Sequence, residues 1–590
     1  MTTRTGQSRP GGDAGPPVGL VVVQIDGLSR PEVDRLLAAG RLPVIGGLIR
    51  DGRLALGDWR PLLPPCTPAS QAGILYGNND GIPGFRWFEK KSRRLLIANH
   101  AGDAAEIDRR ISDGSGLLAD GGVSIGNLLT GDASFSHLTM ATIKRALDDA
   151  GAEASGRRGS DRPWRHRHLS DAVRFTRSPR IWGQIAVDSL RELLAEIRGA
   201  HQQRAAHVRP RMRRGWRYVF ERVLTNVPLR ILSTELVRAE IRRGRRLIYV
   251  DFTGYDEVAH HCGPGRPDAW RAAERIDGSI GWIVAEMDRA ALRYGLVVLS
   301  DHGQSLGETY RQRYGRTLEE QIAAIADGDG TYHGATDQSE YDEGLVSLAH
   351  HLLGNHVASA VAGLLERRPG TNHHRPSRIL DSRGAPLAAP ADAQAADVVV
   401  CASGNLGLIY LTSLPGRADR TAIERRYPGL LAKLIADPGI DVLVARTEQG
   451  LVAFDEHGCR FLDEGRVEGR DPLAPYGPLA ADGLRRVAGF EGGGDLIAIG
   501  HFDPVTEQVL SFEELVGSHG GLGGPQEHPF LAAAPDWPRI DPSPLGAPSV
   551  HRQLHAWLDA LPELVAAPPG SRSRPGLSDV SARAPAAPPA

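Results

Sequence analysis

Residues 247–264 read LIYVDFTGYDEVAHHCGP, and the rest of the chain is organised around this stretch. Leu247, Ile248, Tyr249 and Val250 form a short apolar run of β-forming residues that stops in a turn rich in carboxylate and imidazole. A buried strand therefore delivers polar side chains to one edge of a sheet, the edge where α/β proteins put their chemistry. Asp256 and His260 are four residues apart. If the turn runs on as a helix, both lie on one face, the spacing of paired ligands in helical metal motifs. A metal site is the functional reading, and a solvated loop with a capping Asp and two surface histidines is the structural alternative.

The same pattern recurs on either side. Residues 20–25, LVVVQI, are continuously apolar, as a strand buried on both faces of a parallel sheet requires, and end in Asp26-Gly27. Helical spacing follows at 31–39 and 42–49, a βαβ start. Residues 296–300, LVVLS, form a third buried strand ending in Asp301-His302-Gly303, after a helix expected over 270–291. Between the first two strands, Pro64-Pro65 halts any element, and Thr67-Pro68 has the form of an N-cap with proline at the first helical position. Thr67 is then at a helix N-terminus, where free N–H groups favour a phosphate or an ionised hydroxyl, with an ordinary cap as the alternative. Residues 78–100 are loop-like and aromatic, as active-site rims often are. Later, strands are expected at 398–402, 406–411, 442–445, 451–454 and 496–499, with a helix over 422–435. The 442–454 pair reads as a local antiparallel patch. His519 stands beside a run of glycines in FEELVGSHGGLGG, residues 512–524.

The chain has 590 residues and 63.4 kDa, which suits one catalytic body with insertions. Lys+Arg 69 against Asp+Glu 71 gives a net charge of -2, so the balance advertises neither nucleic acid nor an anionic membrane. Nearly all cations are Arg, Lys occurring only at Lys90, Lys91, Lys144 and Lys433. Four scattered cysteines form no C-x-x-C pair and no disulfide framework. No segment has the form of a signal peptide or approaches the ~20 apolar residues of a membrane span. These features give a cytoplasmic expectation.

Taken together, Asp26, Asp256, His260, Asp301, His302 and His519 with the Thr67 hydroxyl supply three carboxylates, three imidazoles and one hydroxyl. Such a set makes two divalent sites of mixed N/O ligands, suited to zinc or another borderline metal rather than calcium.

In their order, VVVQIDG, CTPASQAGILYG, DEVAHHCGP, LSDHG and GSHGG resemble the alkaline phosphatase superfamily, and most closely its nucleotide pyrophosphatase/phosphodiesterase (type I phosphodiesterase) branch. The resemblance implies an α/β fold with a largely parallel central sheet flanked by helices, here carrying a helical Arg-rich insertion. It implies one metal held by Asp256, His260 and His519. A second metal is held by Asp26, Asp301, His302 and Thr67. Zinc is the first expectation for both ions, manganese or iron the next. The implied reaction is hydrolysis of phosphodiester or nucleotide pyrophosphate bonds in a small substrate, through a phosphothreonine on Thr67. A phosphomonoesterase is the alternative, and a phosphoglycerate mutase-like or non-catalytic member a more distant one. No nucleic-acid partner is expected.

One rival sits inside the nucleophile block, since Cys66-Thr67-Pro68-Ala69-Ser70 brushes the sulfatase pattern. Ser70, however, stands where that pattern has Arg, and the Gly ten positions on fits Thr67 with Gly77. The block also departs from the diesterase pattern. That pattern carries an Asn after a G-I-x-x segment, and here Gly81-Ile82-Pro83-Gly84 leads to Phe85 and Arg86. Asn78, Asn79 or Arg86 is expected to bind the substrate in its place. The chain divides on this reading into a disordered 1–17, a catalytic core in three parts at 18–150, 246–303 and 396–565, an Arg-rich helical insertion at 151–245, a surface insertion at 304–395 and a disordered tail at 566–590.

Overall fold

The strand Val18–Ile25 is buried at every residue and pairs on both sides, in parallel, with Leu247–Phe252 and Arg293–Leu299. In the computed structural model, which describes residues 18–143, 178–212, 214–326, 332–335, 379–380 and 393–566, these three strands are the middle of a seven-stranded sheet. The order is Ala55–Asp58, Phe530–Ala533, Arg293–Leu299, Val18–Ile25, Leu247–Phe252, Val123–Ile125 and Phe135–His137. The last five run parallel, while Phe530–Ala533 is antiparallel to both its neighbours. Fully burying a Val or Leu side chain is worth roughly 1.5–3 kcal/mol. With Leu20, Val21, Val22, Val23 and Ile25 all inside, the first strand is stable only at the sheet centre.

Alternation splits these side chains between two cores. Leu20 and Val22 face a cluster shared with the Thr67–Tyr76 and Ala547–Ala566 helices, while Val21, Val23 and Ile25 face the Arg30–Ala38, Pro43–Arg50, Arg230–Arg242 and Pro267–Met287 helices. The parallel central sheet flanked by helices is thus observed.

The later strands build more than the local antiparallel patch that their spacing suggests. Val398–Ser403, Leu406–Leu411, Leu496–Gly500, Ile440–Thr447 and Gly450–Phe454 join in one sheet that has nine strands among the described residues. Its pairings are antiparallel except for Tyr332–Ala335 beside Val398–Ser403. One face shares the core of the Thr67–Tyr76 helix, and the other is covered by Leu318–Ile325, Arg420–Arg426 and Leu430–Ile435. The helix expected over 422–435 is two helices, because Pro428 lacks a backbone donor and Gly429 takes a positive φ of 76°.

The insertion is helical where described: Pro179–Ala205, Trp216–Leu224, a π-helical turn at Thr225–Leu229, then Arg230–Arg242. Of the stretch 304–395, Tyr310, Leu318, Ile322 and Tyr332 are buried under the second sheet. The disorder expected at residues 1–17 and in the tail from 567 on, and residues 327–331, 336–378 and 381–392 of the surface insertion expected at 304–395, lie outside the described residues.

Candidate active site

Strand register assembles the site. Gln24 lies opposite both Asp251 and Leu299, and Ile25 opposite Phe252, so three central strands end side by side. Asp26, Asp301 and His302 follow directly on two of those ends, at the C-terminal edge of a parallel sheet. The third strand runs into the helix Gly254–Cys262, whose pitch carries Asp256 and His260 on one face, as the spacing predicts. His519 arrives on the loop after the short strand Gly517–Ser518, which pairs with Ser305–Leu306 just beyond His302.

Two groups result. The ligand atoms of Asp256, His260 and His519 lie within 4.8 Å of one another, as do those of Asp26, Asp301 and His302. These are the two groupings implied by the resemblance. His302 and His519 stack at 3.8 Å between ring centroids, so the two groups adjoin. All six residues are buried. Gly27 is held at φ +70°, and a Cβ there would collide with the Asp256 carboxylate, so only glycine lets the two strand ends approach.

Hydrogen bonds settle which ring atoms face inward. His260 Nδ1 lies 2.7 Å from the Gly517 carbonyl and His302 Nδ1 3.0 Å from the Gly303 carbonyl. A carbonyl only accepts, so each Nδ1 donates and each Nε2 presents a lone pair. His260 Nε2 is 2.9 Å from Asp256 Oδ2, and His302 Nε2 is 3.3 Å from Asp301 Oδ2 and 3.4 Å from Asp26 Oδ1. Lone pairs thus point at carboxylates. Asp26 Oδ1, Asp301 Oδ2 and His519 Nε2 are buried with no hydrogen-bond partner among the described residues. Such a donor set fits divalent cations of the borderline class.

Protonation equilibria carry the same strain. Burial, then the fields of Asp301, Asp256 and Asp251, push the Asp26 carboxyl well above the usual carboxylate range. Asp301 is raised by burial, with His302 offsetting part of it. Asp256 is also buried, but the imidazoles of His260, His519 and His302 outweigh that and hold it below the ordinary value. His519 is pushed well down by burial and by His302. Four buried acids, with Asp251 as the fourth, have no Lys or Arg ion-pair partner among the described residues.

Thr67 joins the second group, its Oγ1 3.1 Å from His302 Nε2. Here the expectation of a threonine cap is corrected. Cys66 is the N-cap, extended at φ -145° and ψ 155°, its carbonyl accepting from Ser70 N at 2.9 Å, with Thr67 and Pro68 the first two helical residues. The Thr67 hydroxyl is therefore not spent on capping.

The three side chains expected at the substrate have other partners. Arg86 is buried in an ion pair with Glu513 at 2.7 Å. Asn79 donates to the Ala69 carbonyl of the Thr67–Tyr76 helix at 3.0 Å and accepts from Arg486. Asn78 is exposed and accepts from Asp80 N in a local turn. None of the three lines the cavity that opens beside Thr67 and Asp26.

Asn99 does line that cavity, with both side-chain polar atoms buried and unpartnered among the described residues. The hairpin Arg86–Glu89 with Arg94–Ile97 turns the chain back so that Ala98 N donates to the Phe85 carbonyl at 3.0 Å. Asn99 thereby comes beside Phe85, the position at which the diesterase pattern carries Asn. Its signal in the sequence was a polar amide at the end of the apolar run LLIA. Asp251 was missed too, as an acid inside an apolar strand. It accepts from Gln71 Nε2 at 2.8 Å, and Gln71 Oε1 accepts from Leu128 N at 2.8 Å, tying the Thr67 helix to the cavity wall.

The family model described as type I phosphodiesterase / nucleotide pyrophosphatase matches residues 20–379. No curated protein matches the chain. Among solved structures, phosphonoacetate hydrolase from Sinorhizobium meliloti, in complex with phosphonoformate, is similar at 15% identity and a TM-score of 0.41, covering 92% of this chain and 96% of that one. Murine ectonucleotide pyrophosphatase/phosphodiesterase 5, in complex with AMP, is similar at 11% identity and a TM-score of 0.42, covering 92% and 95%.

Proposed function

Because the chain belongs to the type I phosphodiesterase / nucleotide pyrophosphatase family, whose members are hydrolases of phosphodiester and pyrophosphate bonds, we propose that it cleaves such bonds through a phosphothreonine on Thr67. The observation that carries this reading is the Thr67 hydroxyl beside His302, at a helix N-terminus and on the lip of a cavity. In this reading one divalent ion is held by Asp256, His260 and His519, the other by Asp26, Asp301, His302 and Thr67, zinc being the first choice. When bound, such ions lower the pKa of the hydroxyl and offset charge on the phosphoryl oxygens.

The chain's own groups do the rest. Thr67 Oγ1 attacks phosphorus in line and the bond to the departing oxygen breaks, leaving on Thr67 the phosphoryl group, which for a diester still carries its second ester group. Water then displaces Thr67 from phosphorus. The free N–H groups of the Thr67–Tyr76 helix face the developing negative charge, and Asn99 Nδ2 donates to a non-bridging oxygen, the part expected of Asn78, Asn79 or Arg86. Gln71 keeps the helix in register with Asp251. The division of the chain into core parts and insertions is proposed on the same grounds.

Diesters or nucleotide pyrophosphates are the proposed substrates, ahead of monoesters. A monoester dianion calls for an extra cation, and the one considered for that, Arg86, is engaged by Glu513. The test is a panel of nitrophenyl monoesters and diesters assayed with and without zinc, together with trapping of the phosphorylated peptide. A phosphoryl adduct on Thr67 that retains the diester's second ester group, and a diester preference, are expected. Formylglycine at Cys66, or activity that survives in Thr67→Ala, would overturn the assignment.

A further inference from the structure

The cavity beside Thr67 has one wall that the reaction above leaves unused. Arg230, the first residue of the Arg230–Arg242 helix, lines it from the insertion. Its Nε donates to the Asn226 carbonyl at 2.9 Å and its Nη1 to Ser279 Oγ at 2.8 Å, both neutral acceptors. Among the described residues no carboxylate comes within ion-pair distance of it. Asp188, an acid whose field it feels, is paired with Arg191 at 3.1 Å. Arg214 and Arg222, in the same insertion, are by contrast each paired with buried acids.

A guanidinium carries five N–H donors in a planar fork that matches carboxylate and phosphate. Arg230 uses two of them on neutral groups. Burial lowers its pKa, which reflects an uncompensated charge that an incoming anion would relieve. It follows directly on the π-helical turn Thr225–Leu229, and Thr225 and Leu229 line the cavity with it. Such turns concentrate at functional sites. Leu128, Leu138, Met140 and Ile276 make other parts of the lining apolar. One cavity therefore combines a reacting hydroxyl, an apolar wall and a cation with donors to spare.

We propose that Arg230 is the receptor for a second anionic group on the substrate, so that the preferred substrate is a phosphate ester whose carbon skeleton ends in a carboxylate or a phosphate. This rests on the hydrolase reading above and adds the substrate's far end to it.

The test uses the full-length chain with zinc and three nitrophenyl diesters that share one chromophore. Their second ester group is butyl, carboxypropyl or phosphopropyl. Wild type should prefer the anion-ended esters over the butyl ester by ~10- to 100-fold in kcat/KM, the worth of a charge-assisted pair. Arg230→Met should bring that ratio to within about twofold of unity, and Arg230→Lys should restore part of it. A preference confined to one anion-ended ester supports the proposal and names the anion. Equal rates in wild type, or a preference that survives in Arg230→Met, overturn it. If no diester is hydrolysed with any metal, the hydrolase reading fails, and calorimetry decides the subsite by itself. Carboxypropylphosphonate should then bind wild type ~10-fold tighter than butylphosphonate, and Arg230→Met should lose the difference. Equal affinities in wild type would overturn the subsite.

Discussion

Two buried clusters of charge meet at one short helix, Gly254–Cys262, and they differ in how they are neutralised. At the site, Asp26, Asp251, Asp256 and Asp301 gather with three imidazoles and no Arg or Lys partner among the described residues. Around Cys262, the insertion brings Arg222 onto Glu192 at 2.6 Å and onto Glu196 and Asp268. Arg214 pairs with Glu196 at 3.0 Å and touches Cys262 Sγ at 3.0 Å. Buried charge is costly unless paired. The second cluster carries its own cations. The first is short of positive charge among the described residues, and its ligand atoms gather in two groups that could each hold a metal ion.

That contrast can be broken by experiment. Thr67→Ala should lower turnover by at least ~10³-fold, the scale of losing a nucleophile, while metal content and melting temperature stay near wild type. If activity persists, the first cluster is not organised around Thr67. Arg222→Met should act in the other way. It takes the shared guanidinium from Glu192 and Glu196, leaving them Arg275 and Arg214, and should cost about 3 kcal/mol in urea unfolding, whereas replacing the acids by apolar residues together with Arg222 should cost less. Equal losses would mean that Arg222 is not the cation these acids share.

Metal removal separates the regions further. Chelation should destabilise the wild type by about 3 kcal/mol for an ion held at a hundredfold excess over its Kd, and elemental analysis should find about two ions lost. Asp256→Ala and His519→Ala should each abolish the same share of that stabilisation, because both residues serve one group. Asn99→Ala should lower kcat by roughly 10²-fold without changing metal content, the cost of removing one donor to a developing oxyanion. Smallest of all, Arg86→Met should change the ratio of diester to monoester kcat/KM by less than about threefold. A large shift there would return Arg86 to the substrate despite its ion pair with Glu513.

The elements of the site were legible because each is a local event. A strand that is apolar on both faces and ends in Asp, Asp-His or Asp-x-x-x-His states its burial and its chemistry in six or eight residues. Misreadings arose where a side chain's partner is remote. Arg86 stood in a loop beyond the Thr67 helix, and nothing nearby in the sequence names Glu513 as its partner, whereas Asn78 is taken up by a local turn with Asp80. The second sheet was read only as separate strands, since its neighbours are set by pairings such as Leu406–Leu411 with Leu496–Gly500.

By itself, the sequence determined the parallel core, the six groups that converge at its C-terminal edge and the hydroxyl beside them, through periodicity and the residues on which each strand ends. Tertiary structure alone decided that Cys66 rather than Thr67 caps its helix, that Asn99 returns beside Phe85 through a hairpin, and that Arg230 reaches the cavity with no acid to pair with it among the described residues. The reason is physical. Whether a residue is buried is encoded in the spacing of its neighbours along the chain, but which atom neutralises its charge depends on segments that meet only when the sheets and the insertion have packed.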